Sequence, residues 1–268
     1  MGEVLLQPAG EIDIMIEAEV INPGIMAGKL QEQIESLPVW QGQYQHPLSR
    51  FFDVDAAGIG LPGETSIIIE GDVSRVKRIG QGMTAGKIEI RGSAGMHLGS
   101  EMAGGTITVR GDAGSWAGME MTGGLLHILG NAGDHVGCAY RGSWRGMSGG
   151  RIVIEGHARS QLGGGLTGGQ IAVKGNVENF CAIRQSGGTI LVRGDAVRGV
   201  GAEMTGGTVA VCGTIRQFGP GFREIGPEEN PKLGEIDLDG SYARFAGDYA
   251  ISKNPKGVLL ARAQERGA

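Results

Sequence analysis

The chain has 268 residues, a net charge of −5 at neutral pH and a calculated pI of about 5.6. This acidic balance argues against general nucleic-acid binding, and no stretch approaches the ~18 continuous apolar residues of a membrane-spanning helix. Glycine supplies 52 residues, nearly three times its typical ~7% share. Such a share indicates many tight corners, since glycine adopts positive φ without steric cost.

The cysteines and the first residues bear on where the protein works. Its three cysteines, Cys138, Cys181 and Cys212, are odd in number and far apart in the sequence, which indicates free thiols in a reducing compartment. The opening residues, MGEVLLQPAGE, lack the basic region followed by an apolar run that marks a signal peptide. We therefore expect a cytoplasmic protein.

Residues 1–63 precede a repeated region and are predicted to form an N-terminal capping segment. Apolar residues alternate at Ile12, Ile14 and Ile16, which predicts a strand, and residues 27–36 have the pattern of a short amphipathic helix. Atypical segments are expected at the ends of repeat arrays, where they cover open edges.

Residues 64–217 repeat with a period of about 20 residues. A glycine follows each short apolar strand, and successive glycines are 21, 19, 19, 26, 19, 19 and 19 residues apart. A second series, mostly methionine, lies nine residues before the next of these glycines. The glycines are Gly71, Gly92, Gly111, Gly130, Gly156, Gly175, Gly194 and Gly213, and the second series is Met83, Met102, Met121, Met147, Leu166, Gln185 and Met204. A fixed period of this length indicates stacked structural repeats.

One repeat, TITVRGDAGSWAGMEMTGG at residues 106–124, shows how a unit is built. Ile107 and Val109 alternate with polar residues as in a half-buried strand, and Gly–Asp and Gly–Gly pairs turn the chain. The unit is too short for a strand plus a crossover helix. The sequence therefore predicts an all-β fold: a right-handed parallel β-helix (solenoid) of about seven coils with irregular N- and C-terminal capping segments. Residues 64–217 form the glycine-rich β-helix in this prediction, and residues 218–268 form a C-terminal extension that wraps or caps it.

The repeats contain no recognisable catalytic or metal-binding arrangement. No serine lies in a nucleophile elbow, and no cysteine has a histidine partner at a position set by the repeat. His97 and His135 occupy the same position two coils apart, with Trp116 between them, so about 10 Å separates their rings at ~4.8 Å per coil. That separation is too large for a shared metal ion. We therefore predict no catalytic residue and no metal or cofactor bound by this chain.

The long repeat between Gly130 and Gly156 carries seven extra residues, within the segment CAYRGSWRG at 138–146. Insertions in stacked repeats form loops on one face, often the binding face. The segment contains residue types enriched at protein contacts, which are predicted to contact a partner: Tyr140, Arg141, Trp144 and Arg145. We further expect Arg141 or Arg145 to reach the stacked acids Glu101 and Glu120, or a partner. The alternative is a loop that only folds over its own coil.

An apolar stripe is predicted on the outer face of the repeat strands. Leu125, Val153 and Leu191 lie there, with alanines between and beyond them, at positions that are polar in the earlier coils. A contiguous apolar surface requires a cover. We expect either the chain's own termini or a partner subunit to bury it.

Two pairs of basic residues are predicted to face outward on adjacent coils. Arg91 stacks on Arg110, and Lys174 stacks on Arg193. Stacked basic side chains can guide an anionic chain by electrostatic attraction. The alternative is that they are solvated or paired with neighbouring acids.

The repeat motif G-D-A-G-x-x-A-G-x-E-M-x-G-G, at residues 111–124 and approximately at 194–207, resembles the glycine-rich repeats in the C subunit of formylmethanofuran dehydrogenase. The long repeat GNAGDHVGCAYRGSWRGMSGG is similar to the same family, as are the front segments MAGK, LPVWQG and FFDV. The resemblance covers nearly the whole chain. The C-terminal domain of the glutamate synthase large subunit has related repeats and remains an alternative as a structural domain.

The resemblance implies a non-catalytic scaffold subunit of a one-carbon enzyme complex, whose other subunits are its partners. We favour the bacterial formyltransferase/hydrolase complex, which moves a formyl group from formyl-tetrahydromethanopterin to a methanofuran-like carrier and releases formate. The alternatives are the C subunit of an archaeal formylmethanofuran dehydrogenase and a stand-alone hydrolase or transferase. The complex, rather than this chain, is expected to use the carrier and tetrahydromethanopterin. The carrier's anionic tail is expected to follow Arg91 with Arg110, or Lys174 with Arg193.

Overall fold

The computed structural model describes residues 2–58 and 60–263, and this part of the chain is nearly all β. Two short helices, α1 (Pro23–Met26) and α2 (Gln31–Glu35), and two 3₁₀ turns, Leu48–Arg50 and Pro62–Glu64, precede the repeats. The strands in chain order are β1 (Gly2–Pro8), β2 (Ile16–Glu17), β3 (Pro38–Gln41), β4 (Tyr44–Pro47), β5 (Phe52–Ala57), β6 (Thr65–Glu70), β7 (Val76–Lys77), β8 (Lys87–Arg91), β9 (Ala103–Val109), β10 (Gly123–Ile128), β11 (Arg151–Ile154), β12 (Gln170–Val173), β13 (Thr189–Val192), β14 (Ala196–Arg198), β15 (Thr208–Val211), β16 (Ile215–Gln217), β17 (Arg223–Glu229), β18 (Lys232–Leu233), β19 (Ile236–Asp237), β20 (Ser241–Gly247) and β21 (Gly257–Arg262).

The repeats supply the centre of a 13-stranded sheet with the order β17-β20-β21-β15-β13-β12-β11-β10-β9-β8-β6-β1-β5. Neighbouring repeat strands pair in parallel and in register, so Ile88 lies opposite Ile107, and Ile107 opposite Leu126. The alternation of apolar and polar residues turns these side chains into the core, where all three are buried. One buried row therefore runs from repeat to repeat under the sheet.

The turn after each repeat strand forms a second row of contacts between units. Asp112 Oδ1 accepts a hydrogen bond from the backbone N–H of Asn131 at 2.6 Å, and Asn131 Oδ1 accepts one from His157 at 2.9 Å. His157 continues the row with a ring nitrogen, since its Nδ1 accepts the N–H of Asn176 at 2.9 Å. Polar side chains at these turns therefore link each unit to the next.

The corners of the repeats require left-handed backbone. Gly118 has φ of 63°, and a Cβ built there would lie 2.5 Å from Cδ1 of Ile152. The methionine series packs into the same core, and Gln185, which interrupts it, is also buried. Its Nε2 donates to the carbonyl oxygens of Gly187 and Gly188 at 2.9 and 3.0 Å, so the backbone of the next corner binds this amide nitrogen.

The predicted parallel β-helix of about seven coils with irregular ends is wrong as a description of this fold. The 13-stranded sheet is mixed and continues beyond the repeats at both ends. At one end β1 pairs in parallel with β6 and antiparallel with β5. At the other, β21 pairs in parallel with β15 and antiparallel with β20, which pairs antiparallel with β17. The physical reason is that the outermost repeat strands expose a full row of N–H and C=O groups, and regular strands satisfy them better than irregular segments.

The flanking elements also differ from the sequence prediction in extent. The strand expected around Ile12, Ile14 and Ile16 is the two-residue β2, which belongs to a four-stranded sheet of order β4-β3-β2-β7. The helix expected over residues 27–36 is limited to α2. The division into segments 1–63, 64–217 and 218–268 stays a prediction, and residues 1, 59 and 264–268 of these segments lie outside the described residues.

The C-terminal segment covers part of the apolar stripe. A second buried cluster joins residues on the outer side of β13 and β15 to residues that follow β16. Its members are Leu191, Ala210, Leu233, Leu238, Tyr242 and Leu260. Leu191 is therefore buried, whereas Val153, nearer the middle of the sheet, is only half-buried. Leu125 does not belong to this row: the strand register places His127 opposite Val153 and Leu125 opposite Arg151, two residues earlier along the strand.

Replacing Leu191 with alanine is expected to lower the free energy of unfolding by about 2–5 kcal/mol, because it leaves a cavity under the C-terminal segment. Urea unfolding of the isolated chain measures the change. Val153→Ala is the control and is expected to cost less, since Val153 is half-buried. Equal losses in both variants would contradict the burial of Leu191 by the C-terminal segment.

Candidate partner-binding surface

A row of non-glycine residues with left-handed backbone runs along one corner of the repeats. Positive φ is uncommon for such residues and marks a constrained position. The row, called the aromatic row below, contains Arg78, His97, Trp116, His135, Gln161 and Phe180, with φ between 59° and 67°. Because the units are in register, these side chains are neighbours along the corner.

The centre of the aromatic row is a stack of three rings. The His97 and Trp116 ring centroids are 6.0 Å apart, and those of Trp116 and His135 are 4.2 Å apart, with interplanar angles of 15° and 16°. Burial lowers the pKa of both histidines. For His97 the nearby charges of Arg78 and Lys77 add to this effect. The stack is therefore held by neutral imidazole rings at neutral pH.

The two histidine Nδ1 atoms are buried and have no hydrogen-bond partner among the described residues. Trp116 separates the rings, as the repeat spacing predicts. Among the described residues, no group of three or more His, Cys, Asp or Glu side chains could hold a metal ion.

A second left-handed position, four residues after the aromatic row in the repeat, carries charged residues in several units. Glu101, Glu120, Arg184 and Glu203 have φ of 58°, 53°, 59° and 60°, and we call them the charged row. Glycine occupies the equivalent position at Gly82 and Gly165. The charged row therefore places side chains where the backbone favours glycine.

The insertion loop, residues 140–145, lies against the charged row. The backbone N–H of Tyr140 donates to Glu120 Oε1 at 3.0 Å. The guanidinium carbon of Arg184 lies 4.7 Å from the centroid of the Trp144 ring, and Arg184 Nε donates to Glu203 Oε2 at 2.8 Å. Tyr140 and Trp144 nevertheless remain 54% and 70% exposed. The loop is thus fixed at its base while its aromatic side chains face solvent.

A pocket of about 250 Å³ lies beneath the insertion loop, between Trp116 and His135 on one side and Trp144 on the other. Cys138 lines it, and its thiol donates to the Gln161 carbonyl oxygen at 2.6 Å while accepting the N–H of Gly164 at 3.1 Å. Burial raises the pKa of the Cys138 thiol to about 12. This thiol is a structural group, since a thiol with so high a pKa is a poor nucleophile at neutral pH.

The two arginines of the insertion loop do not reach the acids expected from the sequence. Within the described residues, neither Arg141 nor Arg145 forms an ion pair. The loop contacts Glu120 through the backbone of Tyr140 instead. This backbone contact engages one of the two carboxylate oxygens of Glu120. Contact of the four loop residues with a partner stays a prediction.

The predicted guide residues Arg91 and Arg110 share one acid. Arg91 contacts Glu70 at 2.5 Å and Glu89 at 3.4 Å, and Arg110 contacts Glu89 at 2.7 Å. Hydrogen bonding and the positive charge of Arg110, with a smaller effect from Arg91, lower the pKa of Glu89. This pairing is the alternative that the sequence left open, and a role in guiding an anion stays a prediction.

The two residues of the second basic pair, Lys174 and Arg193, have different surroundings. Lys174 forms an ion pair with Glu155, whose Oε1 also lies 3.1 Å from His127 Nε2. Arg193 has no acidic partner within the described residues, and its Nη1 lies 4.0 Å from Cys212 Sγ. Among the four predicted guide residues, Arg193 therefore keeps an unpaired positive charge in this part of the chain.

The most informative residue of the surface, Arg184, was missed from the sequence, which does place Glu203 at the repeat position of Glu101 and Glu120. Arg184 lies over the Trp144 ring and is itself held by Glu203, but their spacing relative to the insertion cannot be derived from the repeat alone. A usable signal does exist: both are non-glycine residues at a position where other repeats have glycine. Leu125 and Val153 stay predicted partner contacts.

Comparison with known proteins places the chain in a family. No family model matches it. The C subunit of molybdenum-containing formylmethanofuran dehydrogenase 1 from Methanosarcina barkeri is 65% identical over 259 residues, which cover 97% of this chain and 86% of that protein. The C subunit of tungsten-containing formylmethanofuran dehydrogenase 2 from Methanothermobacter thermautotrophicus is 59% identical, covering 97% and 96%. The chain belongs to the family of formylmethanofuran dehydrogenase C subunits. The resemblance inferred from its repeats and insertion is confirmed.

A solved structure contains a similar chain in a second kind of complex. The crystal structure of the formyltransferase/hydrolase complex FhcABCD from Methylorubrum extorquens, in complex with methylofuran, contains a chain that matches with a TM-score of 0.84 and 30% identity. The match covers 97% of the present chain and all of that one. No helix in the described part of the chain is long and apolar enough to span a membrane.

The stacked histidines are expected to make stability depend on pH. Their pKa values are lowered below the usual 6.5, so their contribution is complete above that value and is lost as pH falls, because the unfolded chain takes up protons first. The melting temperature should therefore fall more between neutral pH and about pH 5 in the wild type than in a His97→Asn/His135→Asn double variant. Asparagine tolerates left-handed backbone. Identical pH dependence in the two proteins would contradict this assignment.

The buried thiols are expected to resist alkylation. Burial raises the pKa of Cys138 and of Cys181 to about 12, so iodoacetamide near neutral pH should leave both unlabelled in the folded chain. Peptide mass spectrometry measures the labelling, and the same reaction in concentrated urea should label both. Rapid labelling of Cys138 in the folded chain would show that the thiol is not held as described.

Proposed function

We propose that this chain is a non-catalytic scaffold subunit of an enzyme complex that processes formyl groups on a methanofuran-like carrier. The observation that carries the proposal is the 65% identity to the C subunit of a formylmethanofuran dehydrogenase over 97% of the chain. Further C subunits of such dehydrogenases are 56–59% identical over the same share. These values favour the dehydrogenase setting over the formyltransferase/hydrolase setting expected from the sequence.

The second candidate is the formyltransferase/hydrolase complex. It is supported by the structural similarity to a chain of FhcABCD, although the identity there is 30%. In this setting the complex transfers a formyl group from formyl-tetrahydromethanopterin to the carrier and releases formate. In both settings the other subunits are the partners, the complex is cytoplasmic, and its organic cofactors are bound outside this chain.

Packing of the reactive side chains supports a role without catalysis. The Cys138 thiol is engaged in two hydrogen bonds and its pKa is raised to about 12. His97 and His135 are stacked against Trp116. Side chains committed to structural contacts in this way are poorly placed to bind and transform a substrate. Of the residues proposed to guide the carrier's tail, Arg193 keeps the most available charge.

Purification of the tagged chain from its own host tests the proposal. Peptide mass spectrometry should identify the other subunits, and metal analysis of the complex separates the candidates. Molybdenum or tungsten together with formylmethanofuran oxidation supports the dehydrogenase, whereas formate release from formyl-tetrahydromethanopterin supports the second candidate. Turnover by the isolated chain, or co-purification with a glutamine amidotransferase, would overturn the proposal.

A further inference from the structure

The insertion loop combines a fixed backbone with an exposed tryptophan. Trp144 is 70% exposed, yet its ring is covered on one face by Arg184 at 4.7 Å. Arg184 is in turn fixed by Glu203 at 2.8 Å, and the start of the loop is fixed through Tyr140 to Glu120. A large aromatic ring held rigid in solvent loses little conformational freedom when it binds. This is the condition under which tryptophan dominates the energy of an interface.

The backbone around the loop supports the same conclusion. Glu120, Arg184 and Glu203 all have positive φ, at a position where Gly82 and Gly165 lie in other units. Left-handed backbone is strained for these residues, and such strain persists only where the surrounding structure imposes it. All three make contacts that position the insertion loop. Three of the four residues of the charged row therefore serve to orient Tyr140 and Trp144, whereas the fourth, Glu101, accepts a hydrogen bond from Gln81.

Charge identifies the kind of partner. The insertion loop contains Arg141 and Arg145 and no acid, on a chain whose net charge is −5. Neither arginine has an ion-pair partner among the described residues. Exposed arginines without a direct ion pair, beside an exposed aromatic ring, complement an acidic surface with an apolar centre. Because relatives of this chain are subunits of enzyme complexes, we assign the acidic surface to another subunit rather than to a second copy.

We propose that the insertion loop is a preformed anchor that docks an acidic face of another subunit of the complex. Trp144 is the central contact, Arg141 and Arg145 pair with partner carboxylates, and Arg184 and Glu203 are positioning residues. The identity of the partner as another subunit rests on the proposed function. The geometry of the anchor rests on the contacts within this chain.

Competitive incorporation in the host tests the anchor. A wild-type and a variant chain are co-expressed, the complex is purified through another subunit, and the ratio of the two chains is measured by mass spectrometry. Trp144→Ala should be under-represented by about 30-fold, the size expected for a hot spot. Tyr44→Ala removes an aromatic ring of similar exposure, 63%, outside the insertion loop and should be incorporated equally. Melting temperatures of the free chains establish that both variants fold.

Arg184 is tested as a positioning residue through a double-mutant cycle. Arg184→Gln should reduce incorporation several-fold in the wild-type background and have no further effect in Trp144→Ala, because its effect passes through the ring. Arg184→Lys keeps a cation over the ring and should restore part of the loss. Additive effects of Arg184→Gln and Trp144→Ala would show that Arg184 acts independently of the anchor.

The acidic partner surface is tested by charge reversal and cross-linking. Arg141→Glu/Arg145→Glu should weaken incorporation, and replacing the facing partner carboxylates with arginine should restore it. A photoreactive phenylalanine at position 144 identifies the facing peptide, which should belong to another subunit and contain Asp or Glu.

The outcomes separate the two proposals. If the wild-type chain does not purify with other subunits, the proposed function and the partner's identity both fail. If it does, but Trp144→Ala is incorporated like Tyr44→Ala, the anchor alone is overturned. Cross-linking to a second copy of this chain, or to a peptide without acids, also overturns it.

Discussion

In-register hydrogen bonding between equivalent residues of successive units is the constraint on which the rest of the structure depends. Each unit offers its backbone groups to the next at a fixed register, as where Ile107 lies opposite Leu126. The register shifts once at the start of β10, between Gly123 and Leu125, and is then restored. Because it is kept through the buried part of each repeat strand, every side-chain position there becomes a row along the molecule. One row of apolar residues forms the core, and a row of hydrogen-bond-accepting side chains links the turns. A row of residues with left-handed backbone forms the surface that we assign to partner binding. Position within the unit thus decides the role of a residue more than its type does.

A sheet built by adding one repeat strand after another must be terminated at both edges. This requirement explains the strands of the N- and C-terminal segments. Antiparallel strands continue the sheet at both sides until edges are reached that resist further pairing. The edge strand β5 carries exposed Asp53 and Asp55, and β17 carries Pro227 beside an irregular register. In the last corner, where no further unit follows, Asp248 Oδ2 accepts the N–H of Glu203 at 2.9 Å and replaces the missing carbonyl. The C-terminal segment therefore both terminates the ladder and covers Leu191.

The sequence predicts the structure of the repeated region and little of the structure outside it. Spacing alone gives the in-register strands and the separation of His97 from His135 by Trp116, because identical spacing forces identical placement. It does not predict the mixed sheet, since the flanking residues share no period with the repeats, and this is why the expected fold was wrong at its ends. The contact between Arg184 and Trp144 is equally hidden, because the insertion leaves the register and its path depends on tertiary contacts. His157 was also not expected at a turn. It nevertheless accepts a backbone hydrogen bond from the next unit, as Asp and Asn do in the other turns.

The insertion shows how a repeated scaffold acquires a specific surface without losing its register. Ile128 and Ile154 are paired directly although 26 residues separate them, where the other units have 19 or 21. The extra residues leave and re-enter at one corner: the N–H of Met147 donates to the Gly137 carbonyl oxygen at 3.0 Å and closes the loop at its base. Such closure leaves the core unchanged and places the loop beside the charged row of the neighbouring units. In the neighbouring units, a single residue such as Arg184 or Glu203 can then stand where other units have glycine and hold the loop. The strands themselves need no change. The residues that decide binding specificity are therefore confined to one corner of the repeats, where substitutions do not disturb the paired strands. The paired strands in turn supply the rigidity that makes the anchor effective.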